Sequence, residues 1–578
     1  MLNTLLKQVK EYKKSSLLSP IFVGIEVIFE MLIPFLMSKI IDLGVEKNDM
    51  KMIIFYGSLM LIASFIALFA GVKSGDHAAY ASCGFAKNIR KAMFKNIQDF
   101  SFENIDKYST AGLVTRMTTD VTNIQNAYQM IIRVCVRAPL MLICAMFMAF
   151  WINARLAMIF LIVIFFLAIV LFSIVFITMR IFEVAFTKYD ALNASVQENV
   201  TGIRTVKAFV KEDYETDKFK KASKDIYSIF SKAEGYLVFN SPVMQLAMYT
   251  CIILLSWIGA KMIVNSQLTT GELMSLFAYT TNILMSLMMI SMIFVMTTMS
   301  IASMRRISEV LNEKPTITNS SDPVMEVKDG SIKFDHVYFK YKQSEEDYNL
   351  NDINIEIPSG ATVGIIGATG SAKSTLVSLI SRLYDVSDGK VLVGNVDVRD
   401  YDLKVLRDNV SVVLQNNVLF SGTIADNLRW GDESASLEDI QRVCRLACAD
   451  EFINKFDKGY DTFIEQGGTN VSGGQKQRLS IARAIAKNPD IYVFDDSFSA
   501  LDFKTDAKLR GELSKITKNK TVLIVAQRIS TIMNADKIVV LDEGRVVGIG
   551  THKELMKNCN VYKEIALSQL SKEELENA

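Results

Sequence analysis

The run Thr362-Val363-Gly364-Ile365-Ile366-Gly367-Ala368-Thr369-Gly370-Ser371-Ala372-Lys373-Ser374-Thr375 decides the fold of the carboxyl-terminal half. Its first five residues read as an apolar strand, and the loop that follows ends in lysine and two hydroxyl residues before a helical stretch. A strand–loop–helix of this composition wraps anions, because backbone N–H groups and the positive end of the helix converge on one point. Lys373 is spaced to reach the β and γ oxygens of a nucleoside triphosphate, and the Ser374 hydroxyl to ligate Mg²⁺. Gly367, Thr369, Gly370, Ser371, Ala372 and Thr375 complete the cradle. Ala372 departs from the strict G-x-x-x-x-G-K-[ST] pattern. A methyl there is harmless if φ is negative and costs about 1 kcal/mol or more if φ is positive.

Working outward, Ile491-Tyr492-Val493-Phe494-Asp495-Asp496 is an apolar strand that ends in two acids. Carboxylates at such a position are costly unless they serve a cation, so Asp495 is expected near Mg²⁺. Further short β-branched runs (Val391–Val393, Thr521–Val525, Lys537–Leu541) alternate with helical segments from Ser331 onward. That alternation predicts an α/β domain with a largely parallel sheet.

The other half is of a different kind. The chain has 578 residues, half of them hydrophobic, with 63 Lys and Arg against 62 Asp and Glu. The near-zero charge gives no reason to expect nucleic acid as a partner. Six apolar stretches before residue 300 are each long enough to cross a bilayer: Leu17–Ile41, Met52–Val72, Ile131–Trp151, Leu156–Thr178, Pro242–Val264 and Leu273–Met299. Connections after the first, third and fifth are short. Those after the second and fourth run to about 60 residues and are rich in charge. The positive-inside rule then places both chain ends and the long loops in the cytoplasm. Phe85, Ile89, Met93, Ile97 and Phe100 keep helical spacing, which predicts helices continuing beyond the lipid, with turns near Phe102–Lys107 and Phe209–Glu215. Asn312-Glu313-Lys314-Pro315 ends the membrane half, because proline cannot continue a helix. The expected layout is a six-span domain over 1–314, a linker over 315–330 and a nucleotide-binding domain over 331–578. Seven scattered cysteines, with only Cys444 and Cys448 on one helical face, predict reduced thiols rather than a metal site.

A third element, Asn470-Val471-Ser472-Gly473-Gly474-Gln475-Lys476-Gln477-Arg478, carries a resemblance. Serine-glycine-glycine-glutamine leading a helix resembles the signature of the ATP-binding cassette (ABC) family, and the six-span half resembles its exporter branch. The likeness covers essentially the whole chain. It implies a fold of six membrane helices with long cytoplasmic extensions fused to an α/β P-loop ATPase domain. By the same resemblance Tyr341 stacks on adenine, Gln415 lies beside Mg²⁺, and Ser499-Ala500-Leu501-Asp502 lines a dimer seam. Ser472, Gly473, Gly474 and Gln475 then face the γ-phosphate of ATP held by a second subunit, at a helix end whose dipole favours an anion. ATP and Mg²⁺ are the implied cofactors, and a second half-exporter the implied partner.

Two catalytic positions depart from that family. Asp496 stands where glutamate usually polarises the attacking water, and Gln527 where histidine usually meets the γ-phosphate. The aspartate draws its carboxylate back by about 1–1.5 Å, and a misplacement of that size can cost about 100-fold. Gln527 can donate a hydrogen bond but cannot carry a proton. Both changes fall on the site built by this chain's own phosphate loop, while the signature, which serves the partner's site, is nearly intact. The asymmetry fits one subunit of a heterodimeric exporter with a degenerate site of its own. A homodimer with two slow sites is the alternative, and a regulatory or channel-type ATP-binding protein is the reading of another class.

Candidate cargo contacts are Glu26 and Glu30, one turn apart in the first span, and the methionines of the sixth, among them Met288 and Met292. Ionisable groups at membrane depth usually face a polar cavity, and methionine suits adaptable apolar binding. The bland readings are an interhelical pairing of the acids, with Arg133 or Arg137, and lipid-facing filler for the methionines. Export of a hydrophobic or amphipathic substrate across the cell membrane follows from the resemblance, with peptide or lipid cargo left open.

Overall fold

A computed structural model describes residues 1–341 and 347–569. The chain divides into two compact units, one of Met1–Gln98 with Tyr108–Glu313, the other of Asp99–Lys107 with the residues from Lys314 onward.

Among the described residues of the first unit, six helical segments are long and apolar enough to cross a membrane: Leu2–Val45, Met50–Asp99, Thr110–Ile152, Ala154–Thr201, Glu212–Val264 and Thr270–Ile293. At 1.5 Å per residue the Met50–Asp99 helix is about 75 Å long, far more than the about 30 Å of a hydrocarbon core. Its extension buries Phe85, Ile89 and Met93, the face that their spacing predicted. The helix ends at Asp99 and a short helix, Phe102–Lys107, makes the first turn. In the second loop the chain breaks at Gly202, forms Ile203–Ala208 and restarts as helix at Glu212.

The core of this unit packs Val23, Val27 and Met31 of the first span against Met141 and Ala145 of the third and Leu276, Tyr279 and Ile283 of the sixth. Polar atoms at this depth are satisfied across helices: the Tyr279 hydroxyl donates to the Met31 carbonyl (2.8 Å) and the Ser275 hydroxyl to the Pro34 carbonyl (2.7 Å). Large apolar side chains such as Phe65, Phe69, Phe165 and Phe172 point outward, as lipid-facing surface requires. Asp42 ties the first span to the start of the sixth, which opens with a Thr269–Glu272 capping box. Its carboxylate accepts from the Gly271 N–H and the Thr269 hydroxyl, both at 2.8 Å.

Among the described residues the second unit contains three sheets. β1 (Ile332–Phe339), β2 (Leu350–Ile357), β4 (Asp388–Val393) and β5 (Val396–Asp397) form an antiparallel sheet in the order β2-β1-β4-β5. β3 (Thr362–Gly367), β6 (Val410–Val413), β9 (Ile491–Asp495), β10 (Thr521–Val525), β11 (Lys537–Asp542) and β12 (Arg545–Gly550) form a second, ordered β12-β11-β3-β10-β9-β6. β7 (Gly422–Thr423) and β8 (Phe463–Ile464) pair by themselves. The expectation of a largely parallel sheet holds for the second of these, where only β12 pairs antiparallel. It fails for Val391–Val393, which lies in β4 opposite β1. Chain length accounts for the antiparallel β1–β2 pair of that sheet, where too few residues intervene for the crossover of a dozen or more that a parallel pair needs. β9 and β10 are buried on both faces, which accounts for their unbroken apolar runs.

Replacing Asp42 by alanine removes the acceptor of the buried Gly271 N–H, so the full chain should lose about 1–3 kcal/mol of stability. A thermal midpoint in detergent equal to that of the unaltered chain would contradict this role.

Candidate nucleotide site and membrane cavity

β3, β10 and β9 run side by side and in parallel, with Val525 level with both Ile365 and Asp495. Their carboxyl ends therefore present the phosphate loop, the segment starting at Ala526, and Asp495–Asp496 along one edge. In the loop Gly370 has φ +86° and Ala372 φ +66°. The methyl at 372 thus sits in the left-handed region, the strained one of the two cases weighed above. Gly367 admits no side chain, because a Cβ there would meet the Leu541 carbonyl at 2.1 Å. The Lys373 ammonium lies within the loop, donating to the carbonyls of Gly367 (2.9 Å) and Ala368 (2.7 Å) and to the Ser371 hydroxyl (3.2 Å). Burial pulls its pKa below the ordinary lysine value, and the charges of Asp496 and Asp495 oppose that shift.

The Ser374 hydroxyl donates to Asp495 Oδ1 at 3.0 Å. Asp495 is buried, and burial pushes its carboxyl pKa up against the Ser374 hydrogen bond that lowers it. A hydroxyl and a carboxylate held in contact are hard oxygen donors of the kind Mg²⁺ takes, usually alongside phosphate oxygens and water. The loop and this pair therefore fit a Mg²⁺–nucleotide.

Asp496 adopts φ +47°, a conformation aspartate tolerates better than most side chains. Its Oδ2 accepts from Gln527 Nε2 at 2.9 Å and lies 3.5 Å from Gln415 Nε2. Burial raises its pKa, and hydrogen bonding together with Lys373 lowers it. Asp496, expected at the attacking water, Gln527, expected at the γ-phosphate, and Gln415, expected beside Mg²⁺, are thus neighbours, and the first two bond to each other. A cavity of about 420 Å³ opens beside them, lined by Asp496, Ser499, Gln527, Arg528 and Gln569 among others.

Tyr341 is 39% exposed, with its hydroxyl 2.9 Å from that of Thr375, so an aromatic face stands next to the loop. Its ring meets that of Tyr384 edge-on, and the Tyr384 hydroxyl donates to Asp106 at 2.6 Å. Sequence reasoning missed Tyr384, a lone tyrosine beyond the loop helix with no motif around it.

Ser472 caps the Gly473–Lys487 helix reciprocally with Gln475: Ser472 N–H donates to Oε1 (2.8 Å), and Gln475 N–H donates to the serine hydroxyl (3.4 Å). Ser472 and Gly473 are exposed, and Gly474 borders Ala500. Asp502 caps the Phe503–Ile516 helix through Thr505, whose hydrogen bonds hold its carboxyl below the usual range. Among the described residues no hydrogen bond joins 472–475 to the phosphate loop, so the structure does not bring these two predicted groups together within one chain.

In the membrane unit Arg137 bridges both acids of the first span, Nη1 to Glu26 and Nη2 to Glu30 at 2.8 Å. The interhelical pairing weighed above is present. The second oxygen of Glu26 is buried and has no hydrogen-bond partner among the described residues. These groups line a cavity of about 600 Å³ with Asp76, Arg133 and the apolar Ile33 and Leu68. Met288 and Met292 are 50% and 57% exposed on the sixth helix and do not line it.

Fold and site together define an ATPase unit joined to a membrane-spanning helical unit. The family described as ABC transporter transmembrane region matches residues 17–288, and the family described as ABC transporter matches residues 350–499. The uncharacterised ABC transporter ATP-binding protein YfiB of Bacillus subtilis is 35% identical over 565 residues, covering 98% of each chain. An uncharacterised ABC transporter ATP-binding protein of Mycobacterium tuberculosis is 34% identical over 575 residues, again 98% of each. The solved structure of a bacterial Atm1-family ABC exporter with ATP bound superposes with a TM-score of 0.83, covering 97% of this chain and 100% of that one at 22% identity. The chain belongs to the ABC transporter family. It is a half-transporter with the fold of an ABC exporter, a multi-pass membrane protein that binds ATP and works as a dimer in ATP-driven transport.

Replacing Ala372 by glycine should relieve about 1–2 kcal/mol of left-handed strain against about 0.4–1 kcal/mol of added unfolded-chain entropy. Unfolding of the full chain should therefore show equal or greater stability, and a clear loss would contradict the positive φ. Arg137→Met removes the guanidinium that bridges the two carboxylates, with Arg133 the other cation lining the cavity, and should destabilise the membrane unit by about 3–5 kcal/mol. Adding Glu26→Gln and Glu30→Gln should restore the thermal midpoint; a triple variant no more stable than the single one would remove the ion bridge from the account.

Proposed function

We propose that this chain is the degenerate-site subunit of a heterodimeric ABC exporter that moves a hydrophobic or amphipathic substrate out across the cell membrane. On this reading residues 1–314 form the membrane domain, 315–330 a linker and 331–578 the ATPase domain, with both termini cytoplasmic. Gly367, Thr369–Thr375 and Tyr341 hold ATP, and Ser374, Asp495 and Gln415 hold Mg²⁺, whose charge offsets that of the triphosphate oxygens. Ser472, Gly473, Gly474, Gln475 and Asp502 complete the site of a different partner chain. Glu26, Glu30, Met288 and Met292 are the candidate cargo contacts, the acids through the cavity they share with Arg137.

The observation that carries the proposal is the hydrogen bond from Gln527 to Asp496. A carboxylate already one methylene short is held on one oxygen by an amide that cannot accept or deliver a proton. Such a pair positions nucleotide without activating water well. ATP then serves mainly as the link between two subunits, since a ligand that binds the closed state better shifts the population toward it.

The test is ATP turnover by the purified chain in lipid nanodiscs. The unaltered chain should turn over slowly, and Asp496→Glu with Gln527→His should raise the rate by about 10- to 100-fold. Brisk turnover by the unaltered chain, abolished by Asp496→Asn, would contradict the proposal.

A further inference from the structure

The last described helix, Asn560–Gln569, ends against the segment that follows β10. Its final residue makes two hydrogen bonds there: Gln569 Nε2 donates to the Gln527 carbonyl at 2.7 Å, and the Ile529 N–H donates to Gln569 Oε1 at 2.9 Å. One amide group thus takes hold of the peptide units on both sides of Arg528. We propose that Gln569 is a positioning residue for the ATPase site, fixing the backbone from which Gln527 reaches Asp496.

Three features make a clamp necessary and this one effective. Arg528 precedes the short Ile529–Ile532 helix at its cap position, and a guanidinium has no acceptor to offer the first N–H. Gln569 supplies that acceptor from outside. Ala526 and Ile529 are buried, but Gln527 and Arg528 between them border the cavity of about 420 Å³, so packing supports the ends of the loop and not these two side chains. A released Gln527 side chain has room to leave Asp496. The clamp itself is rigid: Tyr562 and Ala566 of the same helix are fully buried, and the Tyr562 hydroxyl bonds His552 Nδ1 at 2.6 Å. Arg528, held in place, extends over the Phe503 ring and donates to the Ser499 carbonyl at 3.3 Å, linking this loop to the segment that carries Asp502.

The inference rests on the reading of Gln527 as part of the hydrolytic site, and its test separates the two. Turnover is measured by phosphate release from radiolabelled ATP, with the full-length chain in nanodiscs across a range of MgATP. Gln569→Ala should lower the already slow kcat by about a further tenfold with KM within about twofold, because the weak water activation that remains depends on Gln527 keeping Asp496 in place while the phosphate cradle stays. Combined with Gln527→Ala it should add little to the loss of either single change, as groups acting through one another do. Gln569→Glu retains the acceptor for Ile529 but loses the donor to Gln527, so it should also lower kcat; it decides the matter if the alanine variant does not fold. Unchanged kcat, a change confined to KM, or fully additive losses would each overturn the clamp. A slowed Gln569→Ala variant beside an unaffected Gln527→Ala variant would keep the clamp and overturn the assignment of Gln527.

Discussion

Buried charge at the carboxyl edge of three parallel strands is the constraint on which the ATPase unit depends. Asp495 ends β9, Lys373 follows β3, and β10 runs between them, so opposite charges and a neutral amide are set in one row. Neither carboxylate nor ammonium is tolerable there alone, because each has given up much of its hydration. Ser374 on Asp495 and the loop carbonyls on Lys373 satisfy them within the chain. The same arrangement makes the edge a site, since groups aimed inward at one another are also aimed at whatever phosphate and cation enter among them.

Two side chains on that edge, Asp496 and Gln527, depart from the residues that the family resemblance implies there. They follow adjacent strands and bond each other, so the two positions form one local unit. The signature helix stands apart from this edge. Its serine and glutamine cap one another, leaving Ser472 and Gly473 exposed. An exposed helix end whose first N–H groups lack backbone partners suits an anion brought by a second chain.

Legibility in the sequence followed the range of the interaction. Phe85, Ile89 and Met93 could be read as one buried face because helical spacing is local, and the phosphate loop because strand, loop and helix are contiguous. The sign of φ at Ala372 could only be posed as a question, since a backbone angle is set by surroundings rather than by the residue. The antiparallel β1–β2–β4 sheet was missed because its short apolar runs look like those of buried parallel strands. Tyr384 meeting Asp106 and Gln569 meeting Gln527 join residues far apart in the chain, and neither leaves a local pattern. Arg137 was legible in part: the cost of charge in lipid named its partners, though not that one guanidinium would span both.

On the proposed reading, nucleotide at this chain's own loop is hydrolysed far more slowly than the transporter turns over, while it links this chain to a second subunit. Photolabelling of native membranes with an azido-ATP radiolabelled in either the α or the γ phosphate tests it most directly. The account predicts that this chain retains both labels equally over many turnovers of the assembled transporter. Loss of the γ label from this chain at the rate of overall hydrolysis would contradict it.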